Sequence, residues 1–173
     1  MSDIIKQENA VAVSTEKQQE KLKDEILQLV TFSVGNEEFG VEILKVQEIN
    51  KMMSVTKIPN APSFVEGVIN LRGKVIPIIN LRTKLQLPPK ENDKNTRIVV
   101  MEIVGRTVGF IVDSVSEVLR IPRGITEPPP PMVGSVSSEY IIAVGKLEDR
   151  LLILLDVEKI LSGEERSVLQ KME

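Results

Sequence analysis

The chain has 173 residues, 42 % of them hydrophobic, a formal net charge of −3, and neither cysteine nor histidine. That length allows one sizeable domain or two small ones, while the missing residue types exclude disulfides, thiolate or imidazole metal sites, cysteine nucleophiles and histidine bases. An acidic balance with only 3 % aromatic residues offers neither the positive field nor the stacking rings of a nucleic-acid binder.

The start, MSDIIKQENA, lacks the basic and then apolar pattern of a secretory signal, and apolar runs such as LLILL (151–155) are too short for a bilayer. A cytoplasmic protein without direct membrane insertion is expected. Residues 1–27 form a polar N-terminal tail, read as disordered and then helical: Thr15 and Gln18 have capping-box spacing, and Leu22, Ile26 and Leu29 recur at helical intervals. From Leu29 onward, short Val- and Ile-rich runs alternate with the turn sequences GNEE, RGK, GR and EDR, which predicts a small barrel or sandwich. Two helical stretches are predicted within it, VEILKVQEINK (41–51) and VEKILSGEERSVLQKM (157–172), the latter interrupted or ended at Gly163.

Between them, GVINLRGKVIPIINLRTKL (67–85) reads as two strands joined at Arg72 and Gly73. Gly73 supplies the backbone freedom a tight turn needs, whereas no turn requires a guanidinium. Pro77 cannot donate to a ladder, so an edge strand or bulge is predicted there, leaving the first barrel an interrupted edge that the second lacks. LPPKENDKN (87–95) reads as a linker, and the run Pro128–Pro131 marks an extended surface connection.

The sequence repeats itself. FGVEILKVQEI (39–49) aligns with VGFIVDSVSEV (108–118), setting Gly40 on Gly109, Val46 on Val115, Glu48 on Glu117 and Ile49 on Val118 at a spacing of 109 − 40 = 69. GVINLRGKVIPIINLRTKL aligns with AVGKLEDRLLILLDVEKIL (143–161), setting Leu85 on Leu161 at a spacing of 161 − 85 = 76. The proline-rich connection absorbs the difference. Two similar units are therefore expected, 28–88 and 94–161, followed by a C-terminal helical segment, 162–173. Units of this size should share apolar surface, with a groove between them as the natural binding place. The second unit has Glu-Asp where the first has Arg72-Gly73, so the turn does not explain Arg72. Its expected partner is Glu48, a pairing that would set shape or partner choice more than stability.

FSVGNEEFGVEILKVQEI, FVEGVINLRGKVIPIINLR, VGFIVDSVSEVLRI and DRLLILLDVEKIL together resemble the bacterial chemotaxis coupling family CheW, over about Leu27 to Leu161. The resemblance implies a mainly β fold of two SH3-like five-stranded β-barrels packed around a shared core. It also implies a non-catalytic scaffold without cofactor or metal. Such a scaffold bridges the cytoplasmic hairpin tips of methyl-accepting chemoreceptors to the regulatory domain of the histidine kinase CheA, recruited to membrane receptor arrays. Carried over by motif, receptor binding falls to Val46, Glu48, Ile49, Gly67 and Arg72, and kinase binding to Val115 and Val118. Core packing is the competing role for Val46, Ile49, Val115 and Val118.

The coupling module of a CheV-type adaptor is the alternative, although the chain has no room for a receiver domain, a phosphotransfer bundle or an ATPase. Two other classes lack the residues they need. A hydrolase using Glu48 and Asp113 lacks any visible acid cluster, and a small-barrel nucleic-acid binder lacks a basic strip interleaved with aromatics.

Overall fold

The computed structural model describes residues 17–18, 24–129 and 139–171. Its elements run β1 (Ile26–Val34), β2 (Glu37–Glu42), a 3-10 turn (Ile43–Lys45), β3 (Val46–Lys51), β4 (Val65–Leu71), β5 (Lys74–Asn80) and α1 (Leu81–Lys84). There follow β6 (Arg97–Ile103), β7 (Arg106–Val112), β8 (Ser114–Pro122), a 3-10 turn (Arg123–Ile125), β9 (Thr126–Glu127), β10 (Ile141–Lys146), β11 (Leu151–Leu155), α2 (Val157–Ile160) and α3 (Gly163–Lys171). The fold is mainly β. Sheet A has the order β8-β1-β2-β11-β10-β9 and sheet B the order β3-β6-β7-β5-β4, so sheet A carries a sixth strand, the two-residue β9, beyond the five expected.

Each half of the chain makes a hairpin, further strands and a helical turn, as the repeat requires. The hairpins, however, are exchanged between sheets. β1–β2 joins β8 and β11 of the second half, and β6–β7 joins β3 and β5 of the first. Sheet B therefore comes from the single stretch 46–112 and sheet A from 26–42 together with 114–155, so the boundaries 28–88 and 94–161 mark the repeat and not the sheets. The reason lies in the connections. β7 and β8 are separated by Asp113 alone, and a hairpin reversal needs at least two loop residues. The chain cannot turn back there and runs on into the other sheet.

In each sheet one exchanged contact is antiparallel and the other parallel, and the parallel ones fall at repeat-equivalent glycines. Gly40 lies opposite Leu154 and Gly109 opposite Ile78. A Cβ on Gly109 would stand 2.6 Å from Ile78 Cδ1, and one on Gly40 3.3 Å from Leu154 Cδ2. The close approach of the two strands is what excludes a side chain.

Alternation along the strands then builds three cores. One face of sheet B encloses Ile69, Ile76, Ile78, Ile98, Val100 and Ile111. Sheet A encloses the counterparts Leu29, Leu152 and Leu154 with Ile121 and Ala143. The opposite faces meet in a shared core that includes Phe32, Phe39, Ile79, Met101, Phe110 and Leu155. Each fully buried Leu, Ile or Phe there contributes about 1.5–3 kcal/mol of transfer free energy, and the shared core unites the sheets.

Several expectations are corrected. Of the predicted helix 41–51 only Ile43–Lys45 is helical, and β3 follows because its residues alternate between half-buried and exposed while pairing with β6. Ile26 and Leu29 lie in β1, not in a helix, while Thr15 and Leu22 fall outside the described residues. Gly163 starts α3. Ser162 caps that helix reciprocally: Ser162 Oγ accepts from Glu165 N at 3.2 Å, and Glu165 Oε1 accepts from Ser162 N at 3.0 Å. β5 is interior, so Pro77 does not mark an edge strand. Its missing donor is tolerated because the parallel ladder to β7 begins one residue later, at Ile78, whereas the counterpart Ile153 pairs with Phe39. The ladder thus starts one residue later at Pro77 than at its counterpart, and extends further at the other end, to Asn80 opposite Ile111. Pro130 and Pro131 fall outside the described residues.

Candidate functional site

Arg72 and Gly73 form a two-residue turn between paired Leu71 and Lys74, with φ of +54° and +82°. Positive φ at both positions defines a turn that favours Asn, Asp or Gly at the first, so an arginine there is a local cost. Asn70 Oδ1 steadies it by accepting the Gly73 N–H at 2.8 Å. From this turn Arg72 Nη1 reaches Glu48 Oε2 at 2.7 Å, and Asn50 Nδ2 donates to Glu48 Oε1 at 2.7 Å. The Asn50 hydrogen bond, and after it Arg72, holds the Glu48 carboxyl below the usual carboxylate range. The expected pair is therefore present, with the Arg72 side chain 76 % exposed.

The remaining expected residues divide by burial. Ile49 is 41 % exposed on the face of sheet B that carries the shared core, opposite buried Val99. Val46 is half-buried and packs against that core. Gly67 is buried, with φ of +150° at an irregularity in β4, and a Cβ there would overlap the Thr56 carbonyl oxygen. It admits the crossing chain at Thr56, whose N–H and C=O exchange bonds of 2.9 Å with Val68. Gly67 thus supports the surface without presenting anything to it. In sheet A, Val118 is 54 % exposed and Val115 half-buried against the shared core.

Comparing the two sheets shows what single positions did not. Ile49 and Val118 are repeat-equivalent and both exposed. So are Val75, 51 % exposed, and Leu151, 60 % exposed. Each sheet also locks a glutamate of its middle-of-repeat strand to an arginine near the following hairpin tip: Glu48 to Arg72 in sheet B, and Glu117 to Arg150 at 3.2 Å in sheet A. The charges differ, however. Arg150 is further held by Glu38 at 2.5 Å and Asp149 at 2.9 Å, with the side chain 37 % exposed. Sheet B thus presents an accessible cation, with Glu48 on the face of β3 opposite to Ile49, and sheet A a cation held among three carboxylates. Val75, Leu151 and Glu38 were not singled out from sequence, although the repeat alignment already sets Val75 on Leu151.

Between the sheets, the 3-10 turn at Ile43–Lys45 leaves Leu44 93 % exposed. Beside it lies a cleft of about 210 Å³ lined by Glu42, Lys45, Ile142, Leu155, Asp156 and Glu158, among others. Lys45 Nζ bonds Glu158 Oε1 across this crossing at 2.8 Å, both side chains well exposed. The other crossing is tighter. Arg82 Nε and Nη2 donate to Asp113 Oδ1 and Oδ2 at 3.0 and 2.7 Å, and Gly35 N donates to Oδ2 at 2.8 Å. Burial would raise the Asp113 carboxyl, but Arg82 and Gly35 together hold it below the usual range. Glu48 and Asp113 are thus engaged separately, each biased toward the ionised form. An acid pair for hydrolysis needs its two pKa values pushed apart. Among the described residues no group of three or more acidic side chains is placed to hold a metal, and no helix is long and apolar enough to cross a membrane.

The sequence profile of the CheW-like domain matches residues 28–165. The chain is 42 % identical to the chemotaxis protein CheW of Klebsiella aerogenes over 84 % of its own length and 87 % of that protein. It is 38 % identical to CheW of Helicobacter pylori, covering 80 % and 83 %. The chemotaxis protein CheV3 of Helicobacter pylori is 31 % identical over 84 % of this chain but only 50 % of that protein. Among solved structures, the scaffolding protein TtCheW of Thermoanaerobacter tengcongensis superposes with a TM-score of 0.75 at 37 % identity, covering 82 % of this chain and 97 % of that one.

Proposed function

This chain belongs to the CheW-like domain family and is a coupling scaffold of chemotaxis, and on that basis we propose that it joins the cytoplasmic hairpin tips of chemoreceptors to the regulatory domain of the histidine kinase CheA. The observation that carries the proposal is the pair of repeat-equivalent surfaces, alike in their exposed apolar residues and unlike in charge. Two separate surfaces allow two partners to be held at once, and unlike charge distinguishes them.

In this reading Arg72, Glu48 and Ile49, with exposed Leu44 at the groove between the sheets, meet the receptor tip, whose helices offer an apolar face. Val46 and Gly67 position that surface from beneath. Val118, joined by Leu151 and the acids around Arg150, meets the kinase domain, with Val115 supporting Val118 from the core. The scaffold works without catalysis, in the cytoplasm at receptor arrays, and passes a signal only if receptor states contact it differently. The CheV-type alternative is less supported, because that relative is matched over half its length.

The test is a pull-down of wild type and Arg72→Glu with a receptor cytoplasmic fragment and, separately, with the kinase regulatory domain. Selective loss of receptor capture supports the assignment. Failure of the wild type to capture either partner overturns it.

A further inference from the structure

We propose that Thr31 is a positioning residue for the sheet A surface, its buried hydroxyl holding Glu117 out toward the partner met there. The inference rests on the reading that this surface meets the kinase domain, and adds a residue that acts on it from inside the sheet. Thr31 is fully buried in β1, two residues from Leu29 and so on the face that Leu29 turns to the sheet A core. A hydroxyl in apolar surroundings is costly unless its hydrogen bonds are made. Here both are: Thr31 Oγ1 donates to the Glu117 carbonyl at 3.0 Å and accepts from Glu117 N at 3.2 Å. The side chain stands in for a ladder partner. β1 pairs with β8 at Val30–Val118 and Phe32–Val115, so Ser116 and Glu117 both fall opposite Thr31 and β8 bulges.

The repeat supplies the comparison. At 100 − 31 = 69 residues, the spacing that sets Glu48 on Glu117, Thr31 falls on Val100. Sheet B carries its irregularity at the same place, between Val46 and Glu48, yet there Glu48 pairs directly with Val100. Valine has no hydroxyl to offer, so the main chain of Glu48 stays in the ladder, whereas the main chain of Glu117 bonds a side chain and leaves it. The outcome shows at the surface: the Glu117 side chain is 52 % exposed and that of Glu48 only 21 %. A bulge re-aims the side chains beside it, and beneath this one the two copies differ by a buried hydroxyl.

The test compares Thr31→Val, which keeps the shape and removes the hydroxyl, with Thr31→Ser, which keeps the hydroxyl. In the free full-length protein, the amide and carboxyl resonances of Glu117 should move in Thr31→Val and stay near their wild-type positions in Thr31→Ser. Binding of the kinase regulatory domain, measured by titration calorimetry, should weaken about fivefold in Thr31→Val and recover in Thr31→Ser. Capture of the receptor fragment should not change. In a Glu117→Ala background, Thr31→Val should weaken kinase binding no further. Unmoved Glu117 resonances in Thr31→Val, an equal loss in Thr31→Ser, a parallel loss of receptor capture, or an undiminished effect in the Glu117→Ala background would overturn the proposal. A wild type that binds no kinase domain would overturn the coupling assignment and the binding role together, while the resonances, read without a partner, still decide whether Thr31 places Glu117.

Discussion

The Nη1 of Arg72 lies 2.7 Å from Oε2 of Glu48, bridging the tip of one hairpin to a strand 24 residues earlier. The arginine occupies a turn position where a smaller residue would be easier, and its side chain stays 76 % exposed. A cation held out on a fixed turn suits the receptor contact proposed for it.

Arg72→Glu should therefore reduce receptor-fragment binding by about tenfold or more, leave kinase-domain binding unchanged and preserve the circular dichroism spectrum. Adding Glu48→Arg should restore part of the receptor binding if the pair's geometry matters. Titration calorimetry of the single and double variants decides this.

On the other sheet, Val118→Asp and Leu151→Asp should each weaken kinase-domain binding and spare receptor capture, because both side chains are exposed in the folded chain. Equal loss of both partners would mean that the two surfaces are not separate.

Gly67→Ala should destabilise the protein by about 3 kcal/mol or more, since its Cβ would strike backbone and not a movable side chain. Urea unfolding measures this. Reduced binding in that variant would then report distortion of β4, not a lost contact.

Asp113→Asn should cost about 2 kcal/mol at neutral pH, because it breaks a bidentate pair whose side chains are only 15 % and 16 % exposed. The folded-state pKa of Asp113 is lowered, so its contribution is present above the unfolded value of about 3.9 and is lost as pH falls through the folded value. Wild type should lose stability over that acid window more steeply than Asp113→Asn, as pH-dependent urea midpoints would show.

Val104→Asn should raise stability by about 1 kcal/mol, because asparagine suits the left-handed position that valine strains. Thermal melts check it.

The sequence by itself determined the β texture, the repeat, the family and the pairing of Arg72 with Glu48, because each has a local or periodic signature. It misread β3 as helix because Ile43, Val46 and Ile49 recur at a helical interval of three, which the strand accommodates only through the irregularity between Val46 and Glu48. Only the tertiary structure decided which hairpin joins which sheet. The two repeats offer nearly the same apolar pattern at β5 and β11, so either pairing would bury the same kinds of side chain. The choice falls to the one-residue link at Asp113, too short to reverse the chain, and to the close packing at Gly40 and Gly109. The same exchange decided which side chains remain outside, and so why Ile49 and Val118 are exposed while Val46 and Val115 pack against the core.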